Sequence, residues 1–491
     1  MQGEAISRGL KRLAFSLVVA AVLGLGVSPA SAADSVYWSD FGADGISFAG
    51  LDGSTAGDLT TTGATLSNPE GVAIDTAAAR IYWGNDNSIA YANLNGSGGG
   101  TLSTTGATTV SSAAGVAIDP ASGRIYWASR FADKISFANL SGTGGADLNT
   151  TPATVDSPTG VALDLAAGRI YWANENAGIS YANLSGGGGG QLDTTGATVN
   201  GPWGLAIDPV SRRIYWANRN GGSISYASLN GGGGGDLDTT GATVSDPIGV
   251  AIDPAAGRIY WVDQVPKQIW SASLAGGGGR QLPTLSANVS FPSFPALLKA
   301  PAAAGPPTVS GGSAPGSALS CSQGAWAPDL AGTFLFQAPQ TFAYQWLRDG
   351  AEITGAEGST IAADTPGRYE CRVTATNHAG STARTSASFT VAEGHFTIGK
   401  PKLNKKVGTA KLPVTVPGAG ELKLKGKTIA LQTRDVDAGK TRLLVRPKGK
   451  AKRKLVTKGK ATARATVTFT PTDATGSSQG IRVKLKQKHR R

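Results

Sequence analysis

Between residues 33 and 300, hydrophobic and polar positions follow one phrase that returns every 44 or 45 residues. The dipeptide Tyr-Trp stands at Tyr37-Trp38, Tyr82-Trp83, Tyr126-Trp127, Tyr171-Trp172, Tyr215-Trp216 and Tyr260-Trp261, and Arg-Ile precedes the last five. Ahead of each of those five lies Gly-(Val/Leu)-Ala-(Ile/Leu)-Asp, ending at Asp75, Asp119, Asp164, Asp208 and Asp253. Behind each Tyr-Trp comes an alternating run such as Ile179-Ser180-Tyr181-Ala182, then a glycine-rich turn and a Leu-x-Thr-Thr-Gly-Ala-Thr segment. Alternation with period two, broken by turn residues, predicts short strands. Each unit therefore holds four: strand a (Gly-Val-Ala-Ile-Asp), strand b (Arg-Ile-Tyr-Trp), strand c (Ile-Ser-Tyr-Ala) and strand d (around Leu-Asp-Thr-Thr). No run has the 3.6-residue spacing of a helix, which excludes helical solenoids. Four strands in a unit of ~40–50 residues is the pattern of a propeller blade.

Ring closure can also be read. The first copy begins at strand b and lacks strand a. After the last strand d, Val289-Ser290-Phe291-Pro292 aligns with Val244-Ser245-Asp246-Pro247 and with the strand a behind it. The far end of the domain is thus expected to supply the innermost strand of the first blade, leaving no open sheet edge. The expected fold class is all-β: a six-bladed β-propeller, then an immunoglobulin-like β-sandwich, then a basic β-sandwich-like domain.

Six Tyr-Trp motifs, the closest being Tyr37-Trp38-Ser39-Asp40, together with the period and the strand a phrase, resemble the YWTD propeller. This is the class B repeat of the low-density lipoprotein receptor family. Tyr126-Trp127-Ala128-Ser129 and Tyr171-Trp172-Ala173-Asn174 depart from the motif at its fourth position, which bears on the partner more than on the fold. The resemblance covers residues 34–299 and implies a binding platform, not a catalyst.

Charge divides the chain. The net +12 is the sum of +22 over residues 396–491 (26 Lys/Arg, 4 Asp/Glu), −12 over 33–395 and +2 near the N-terminus. Arg8, Lys11 and Arg12 precede an apolar run over residues 13–27, and Ala30-Ser31-Ala32 follows. This predicts a signal peptide over residues 1–32 and a secreted, extracellular or envelope-associated protein. Fifteen apolar residues would span only about 22 Å, short of the ~30 Å hydrocarbon core, so no transmembrane segment is expected after cleavage. All three histidines (His378, His395, His489) lie outside the repeats, which leaves most His-dependent chemistry without a base in the propeller.

Residues 301–315 have the Pro/Ala/Gly composition of a linker. Beyond them, Cys321, Trp346, Tyr369 and Cys371 resemble the landmarks of an immunoglobulin-like sandwich over residues 306–392, with the tyrosine two places before the second cysteine. The resemblance implies a Cys321–Cys371 bridge over Trp346. From residue 396, alternation such as Ile481-Arg482-Val483-Lys484-Leu485-Lys486 predicts half-buried strands, with residues 448–460 as a basic hairpin or loop. The composition is similar to Lys-rich tails of secreted actinobacterial proteins. Two uses compete for this tail, a solvated cationic surface and adhesion to an anionic envelope polymer; nucleic acid is not expected.

The repeated aspartates have two readings: a carboxylate ring for a channel cation, or turn residues accepting backbone N–H groups. In an antiparallel blade the a–b and c–d turns share one side, and here they are uniform. The b–c loops and the positions before strand a share the other side, and there the copies differ. Candidate ligand-binding residues on that face are Trp203, Glu70, Thr159, Arg130, Phe131, Glu175 and Arg219, facing an unidentified protein or glycan. Trp203 leads, because no other copy has an aromatic there, and its truncation is expected to leave the fold stable. No catalytic residue, metal or cofactor is expected. The rivals are a lactonase- or lyase-like enzyme with a channel metal and a purely architectural surface protein.

Overall fold

The computed structural model describes residues 34–313, 315–391, 396–472 and 476–488; the expected leader lies outside them. The repeats fold into six antiparallel blades of four strands each. In one blade strand a is Pro158–Asp164, b Arg169–Asn174, c Gly178–Asn183 and d Gly190–Gln191. Closure is as the alignment predicts: Ser35–Asp40, the strand b of the first blade, pairs antiparallel with Pro292–Leu298, which serves as its strand a.

The repeated phrase has a mechanical reason at each position. All six Trp side chains of the Tyr-Trp pairs are fully buried. Trp172 and Trp216 donate Nε1–H to the carbonyls of Thr154 and Thr198 at 3.0 and 3.1 Å, tying strand b to the connection that leads into the same blade. Trp38 does the same across the closure, to Asn288 at 3.1 Å. The fourth motif position repeats this tie with a side-chain oxygen. Asp263 accepts from the Ser245 and Asp246 amides at 2.7 and 2.8 Å, and Asn174 from the Asp156 amide at 2.9 Å. Asn replaces Asp without losing the acceptor, while the Ser129 hydroxyl instead accepts from Trp127 Nε1 at 3.1 Å. In four of the five copies the arginine before Ile-Tyr-Trp lies over the strand c aromatic, as Arg80 over Tyr91 at 4.8 Å and Arg213 over Tyr226 at 4.6 Å, a cation–π contact; Arg258 instead donates to the Ser271 hydroxyl at 2.8 Å.

The glycine that opens strand a is required by the neighbouring blade. A β-carbon on Gly160 would sit 2.7 Å from the Gly204 Cα, one on Gly204 2.5 Å from the Gly249 Cα, and one on Gly249 2.6 Å from the Phe294 Cα. The inner strands therefore touch backbone to backbone around the axis.

Residues 301–315, expected as a linker, hold two short strands, Ala303–Gly305 and Val309–Gly311. The first pairs with Ala325–Trp326 in a sheet of their own, and the second is an edge of a two-sheet sandwich whose sheets are joined by the Cys321–Cys371 disulfide, with Trp346 fully buried. The Tyr369 hydroxyl donates to the Thr365 carbonyl at 2.7 Å, the landmark that the immunoglobulin-like resemblance implies. This domain is docked on the propeller. Ala331–Thr333 and Phe334 are buried against it, and Leu335–Phe336 adds a parallel strand to Leu297–Leu298. Asn377 donates to the Lys299 carbonyl at 2.7 Å, and Ala379 joins the propeller core.

The tail is a second sandwich of two four-stranded sheets. Its expected basic hairpin is corrected: Gly449–Lys458 is an α-helix. Ala451 and Leu455, four residues apart, are its buried face, and Gly459 ends it in the left-handed region at φ 62°, as C-terminal glycines do.

Gly160→Ala tests the inner ring. Its backbone tolerates alanine, so the clash alone acts, and overpacking of this kind costs about 1–3 kcal/mol. Thermal melting should move down by several degrees relative to the parent protein; an unchanged melting temperature would mean that the inner strands can part.

Candidate functional site

One mouth of the channel is filled by the chain itself. Residues 329–338, reaching out of the sandwich, enter on the a–b turn side, where Gly332 is so close that a β-carbon would meet the Leu163 carbonyl at 2.4 Å. Asp329 fixes this plug: Oδ1 accepts from the Gln337 and Ala338 amides at 2.6 and 2.7 Å, and Oδ2 from the Thr76 hydroxyl at 2.5 Å. Burial raises the Asp329 pKa despite these bonds. The repeated aspartates lie on this side and act as turn residues. Asp75, Asp164 and Asp253 each accept from the backbone amide three residues on, at 3.0 Å, and Asp253 also pairs with Lys299 at 2.7 Å. Among the described residues no group of three or more His, Cys, Asp or Glu is placed to hold a metal ion.

The opposite mouth, where the copies vary, holds a pocket of about 220 Å³. Glu70, Arg130, Trp203 and Arg219 line it together with Phe41, Ile248, Gln264, Phe291 and Ser293. Four of the seven candidates from the sequence thus converge. The guanidinium groups of Arg130 and Arg219 lie over the Trp203 ring, 4.5 and 4.7 Å from its centre. Each arginine is held from outside by a carboxylate, Arg130 by Glu175 at 2.5 Å and Arg219 by Asp246 at 3.1 Å.

Three polar atoms among the lining residues are buried without a hydrogen-bond partner in the protein: Glu70 Oε2, Arg130 Nε and Trp203 Nε1. Burial pushes the Glu70 carboxyl up to about 7. Arg130 and Arg219 pull it back down, while Asp86 and Glu175 add to the rise.

The remaining candidates act at one remove. Thr159 is fully buried and donates to the Trp203 carbonyl at 3.0 Å, so it seats the tryptophan. Glu175 positions Arg130. Phe131 is 71% exposed at the rim. Trp203 corrects one expectation. It is only 3% exposed and belongs to the propeller core, so truncating it would open a cavity, a change that costs about 3–5 kcal/mol. Phe41, Phe291 and Ser293 were not among the candidates; they flank the closure between the first strand b and its borrowed strand a.

No protein-family model matches the chain, and no curated protein matches it. Solved structures with a similar fold include a nidogen/laminin complex, 18% identical, covering 54% of this chain and 98% of the other, with a TM-score of 0.44. Another is a protein from Lactobacillus plantarum, 14% identical, covering 54% and 99%, with a TM-score of 0.38. The six blades stand on the strand pairing itself, and no residue role is taken from these structures.

Glu70 gives a pH signature. Its carboxyl ionises near 4.5 when unperturbed and near 7 in the fold. Between those values the folded chain holds the extra proton, so stability falls as pH rises through the window and is level above it. The difference corresponds to about 3 kcal/mol. Denaturant unfolding of Glu70→Gln should show this: relative to the parent, the variant gains about 3 kcal/mol on going from pH 4 to pH 8. A pH-independent difference would place Glu70 in contact with water.

Proposed function

We propose that the chain is an exported binding or adhesion protein, in which the open face of the propeller is the ligand platform and the cationic tail associates with an anionic cell envelope. The observation that carries the platform is the trio of unpartnered buried atoms around one pocket. Leaving such atoms unsatisfied costs about 1–3 kcal/mol each, a cost that a ligand removes by bonding them. Two N–H donors and one carboxyl oxygen call for a group that both accepts and donates. Hydroxyls meet that requirement whether Glu70 is ionised or not, on a glycan or on a protein side chain. A volume of about 220 Å³ equals roughly seven waters at ~30 Å³ each, room for one such group and not for a whole macromolecule. The partner would insert one residue here and spread over the surrounding b–c loops, which a rigid scaffold presents.

Export is supported by the basic, apolar and small-residue segments of the leader and by the disulfide, a bond favoured in oxidising compartments. Among the described residues no helix is long and apolar enough to cross a membrane.

An enzyme reading draws on the same Glu70, since a carboxyl poised near 7 suits acid–base work. Against it, both arginines are engaged by carboxylates, and among the described residues lining the pocket Glu70 is the one carboxyl or histidine. Glycan and protein arrays probed with the full-length protein test the platform. Glu70→Gln and Trp203→Phe, the latter keeping the ring and losing only its N–H, should each weaken the selected ligand at least tenfold while remaining folded. Unchanged affinity in both would remove the pocket from the binding face, and turnover of the bound ligand abolished by Glu70→Gln would favour the enzyme.

A further inference from the structure

The charge of the tail is sorted by position. Two hollows lie at the same end of the domain. One, of about 660 Å³, takes Lys450, Lys454 and Lys458 from the helix and Lys460, Arg482, Lys484 and Lys486 from the long hairpin formed by Lys460–Pro471 and Ser477–Lys486. The other, of about 800 Å³, includes Lys405, Lys406, Lys411 and Lys488. The amide of Lys488 donates to the Lys405 carbonyl at 2.9 Å and that of Gln487 to the Gly459 carbonyl at 2.9 Å, which stitches the two hollows together. Neither is lined by an Asp or Glu among the described residues. The three described acids of the tail, Glu421, Asp435 and Asp437, line a hollow at the other end, beside Thr470 and Pro471. Twelve residues of extended strand from Lys460 to Pro471 separate the two ends by about 36 Å at ~3.3 Å per residue.

The cationic end works against its own fold. Three cross-strand neighbours there carry like charge: Lys402 opposite Lys411, Lys460 opposite Lys486 and Arg464 opposite Arg482. Such pairs destabilise a sheet. No internal acid relieves them, because all six ion pairs among the described residues lie in the propeller and the first sandwich. The arrangement also faces outward along the chain. Phe396, where the described tail begins, is fully buried with its ring 6.3 Å from that of Phe469, and its carbonyl accepts from Gln479 at 2.6 Å. That is the acidic end, so the cations sit at the end remote from where the rest of the protein is attached.

We infer that the cationic end of the tail is a binding surface for a flexible linear polyanion, a polymer with a phosphate or carboxylate on each repeat. Lysines dominate, and their ammonium groups are point charges on flexible stems that follow a mobile chain, without the fixed fork of arginine. The two linked hollows offer a run of cations that a flexible chain can track. Phe396 and Phe469 are the only aromatic residues from 396 onward, and both are fully buried. The surface therefore offers no ring for base stacking or for anchoring at a membrane interface. This inference rests on the reading of the tail as an attachment segment and is independent of the propeller pocket.

The test uses the full-length protein with inorganic polyphosphate and poly-glutamate as probes, over a salt series. Counterion release makes log K fall linearly with log salt, by roughly 0.7 per charge engaged for a flexible chain, so seven cations would give a slope near −5. Replacing Lys454, Lys484 and Lys486 by Ser should weaken binding at low salt at least tenfold and flatten the slope by about 2. Replacing Lys423, Arg434 and Lys440 by Ser removes the same three charges elsewhere and should change affinity less than threefold. Removing Lys486 also relieves a like-charge pair, so the first variant should melt no lower than the parent at low salt. Binding of either probe with this asymmetry supports the surface, and the tighter probe names the charged group. Equal losses in both triple variants, no binding, or tighter binding of duplex DNA or of vesicles of equal phosphatidylglycerol and phosphatidylcholine would overturn it. None of these outcomes bears on ligands selected through Glu70.

Discussion

Everything in the propeller depends on the contact between inner strands at the glycine that opens each strand a. Gly71, Gly115, Gly160, Gly204 and Gly249 each stand less than 3 Å, measured from where a β-carbon would be, from the backbone of the next blade. With no side chain between them, the blades share one backbone-lined wall around the axis. Their registers are then locked: shifting one strand by a residue would drive a side chain into that wall. The sixth position is Phe294, in the left-handed region at φ 34°, and it stands where the C-terminal segment completes the first blade. The closing segment itself is held by Asp40, which accepts from the Phe291 amide at 3.0 Å.

A wall of backbone leaves the channel ends to be finished by other residues, and the two ends are finished differently. On the a–b side, uniform turns form a socket that the plug of the first sandwich fills, and Leu335–Phe336 continues the first blade beyond its borrowed strand. The sandwich is thereby part of the propeller's closure and not a spacer. The same Pro292–Leu298 strand pairs with Ser35–Asp40 on one edge and receives the plug strand on the other, so ring closure and domain docking support each other. On the opposite side no segment among the described residues plugs the mouth, and the varied residues converge on a pocket.

The repeat made most of this readable. Blade number, strand order, the closing segment and the variable face follow from period and alternation, because each blade must bury the same Tyr-Trp and meet its neighbour at the same glycine. Four of the pocket's lining residues could be named for the same reason: one face is free to differ. What periodicity could not reach were contacts made once. The plug is a single loop in the first sandwich, Leu330 to Phe336, and no repeat announces it. Phe41 and Phe291 meet only after the ring closes. Trp203 read as an exposed anchor because its position is on the variable face, yet it is covered by two arginines, Arg219 from its own blade and Arg130 from another. The helix Gly449–Lys458 was hidden by its lysines; its signals were the Ala451–Leu455 pair and Gly459, too few to outweigh ten residues of basic composition.

Regular folds are consistent from local propensity to core packing, and departures from that consistency concentrate where a protein does something else. This chain departs in two places. Six side-chain polar atoms among the described residues of the repeats are buried without partners, and three of them, Glu70 Oε2, Arg130 Nε and Trp203 Nε1, meet in the propeller pocket, whereas hydroxyls of the repeats are paired, as with Ser225 donating to Asp236 at 2.5 Å. At the far end of the tail like charges face each other across the sheet while the acids that could relieve them sit about 36 Å away. Neither departure is needed for closure or for packing: equivalent blades form without the trio, and the tail core of Leu, Val and Phe residues is indifferent to the sign of its surface. Each is a local cost that an external group can offset, hydroxyls in the pocket and a polyanion on the tail. Because the two lie in separate domains with separate cores, a group bound at one can be gained or lost without disturbing the other.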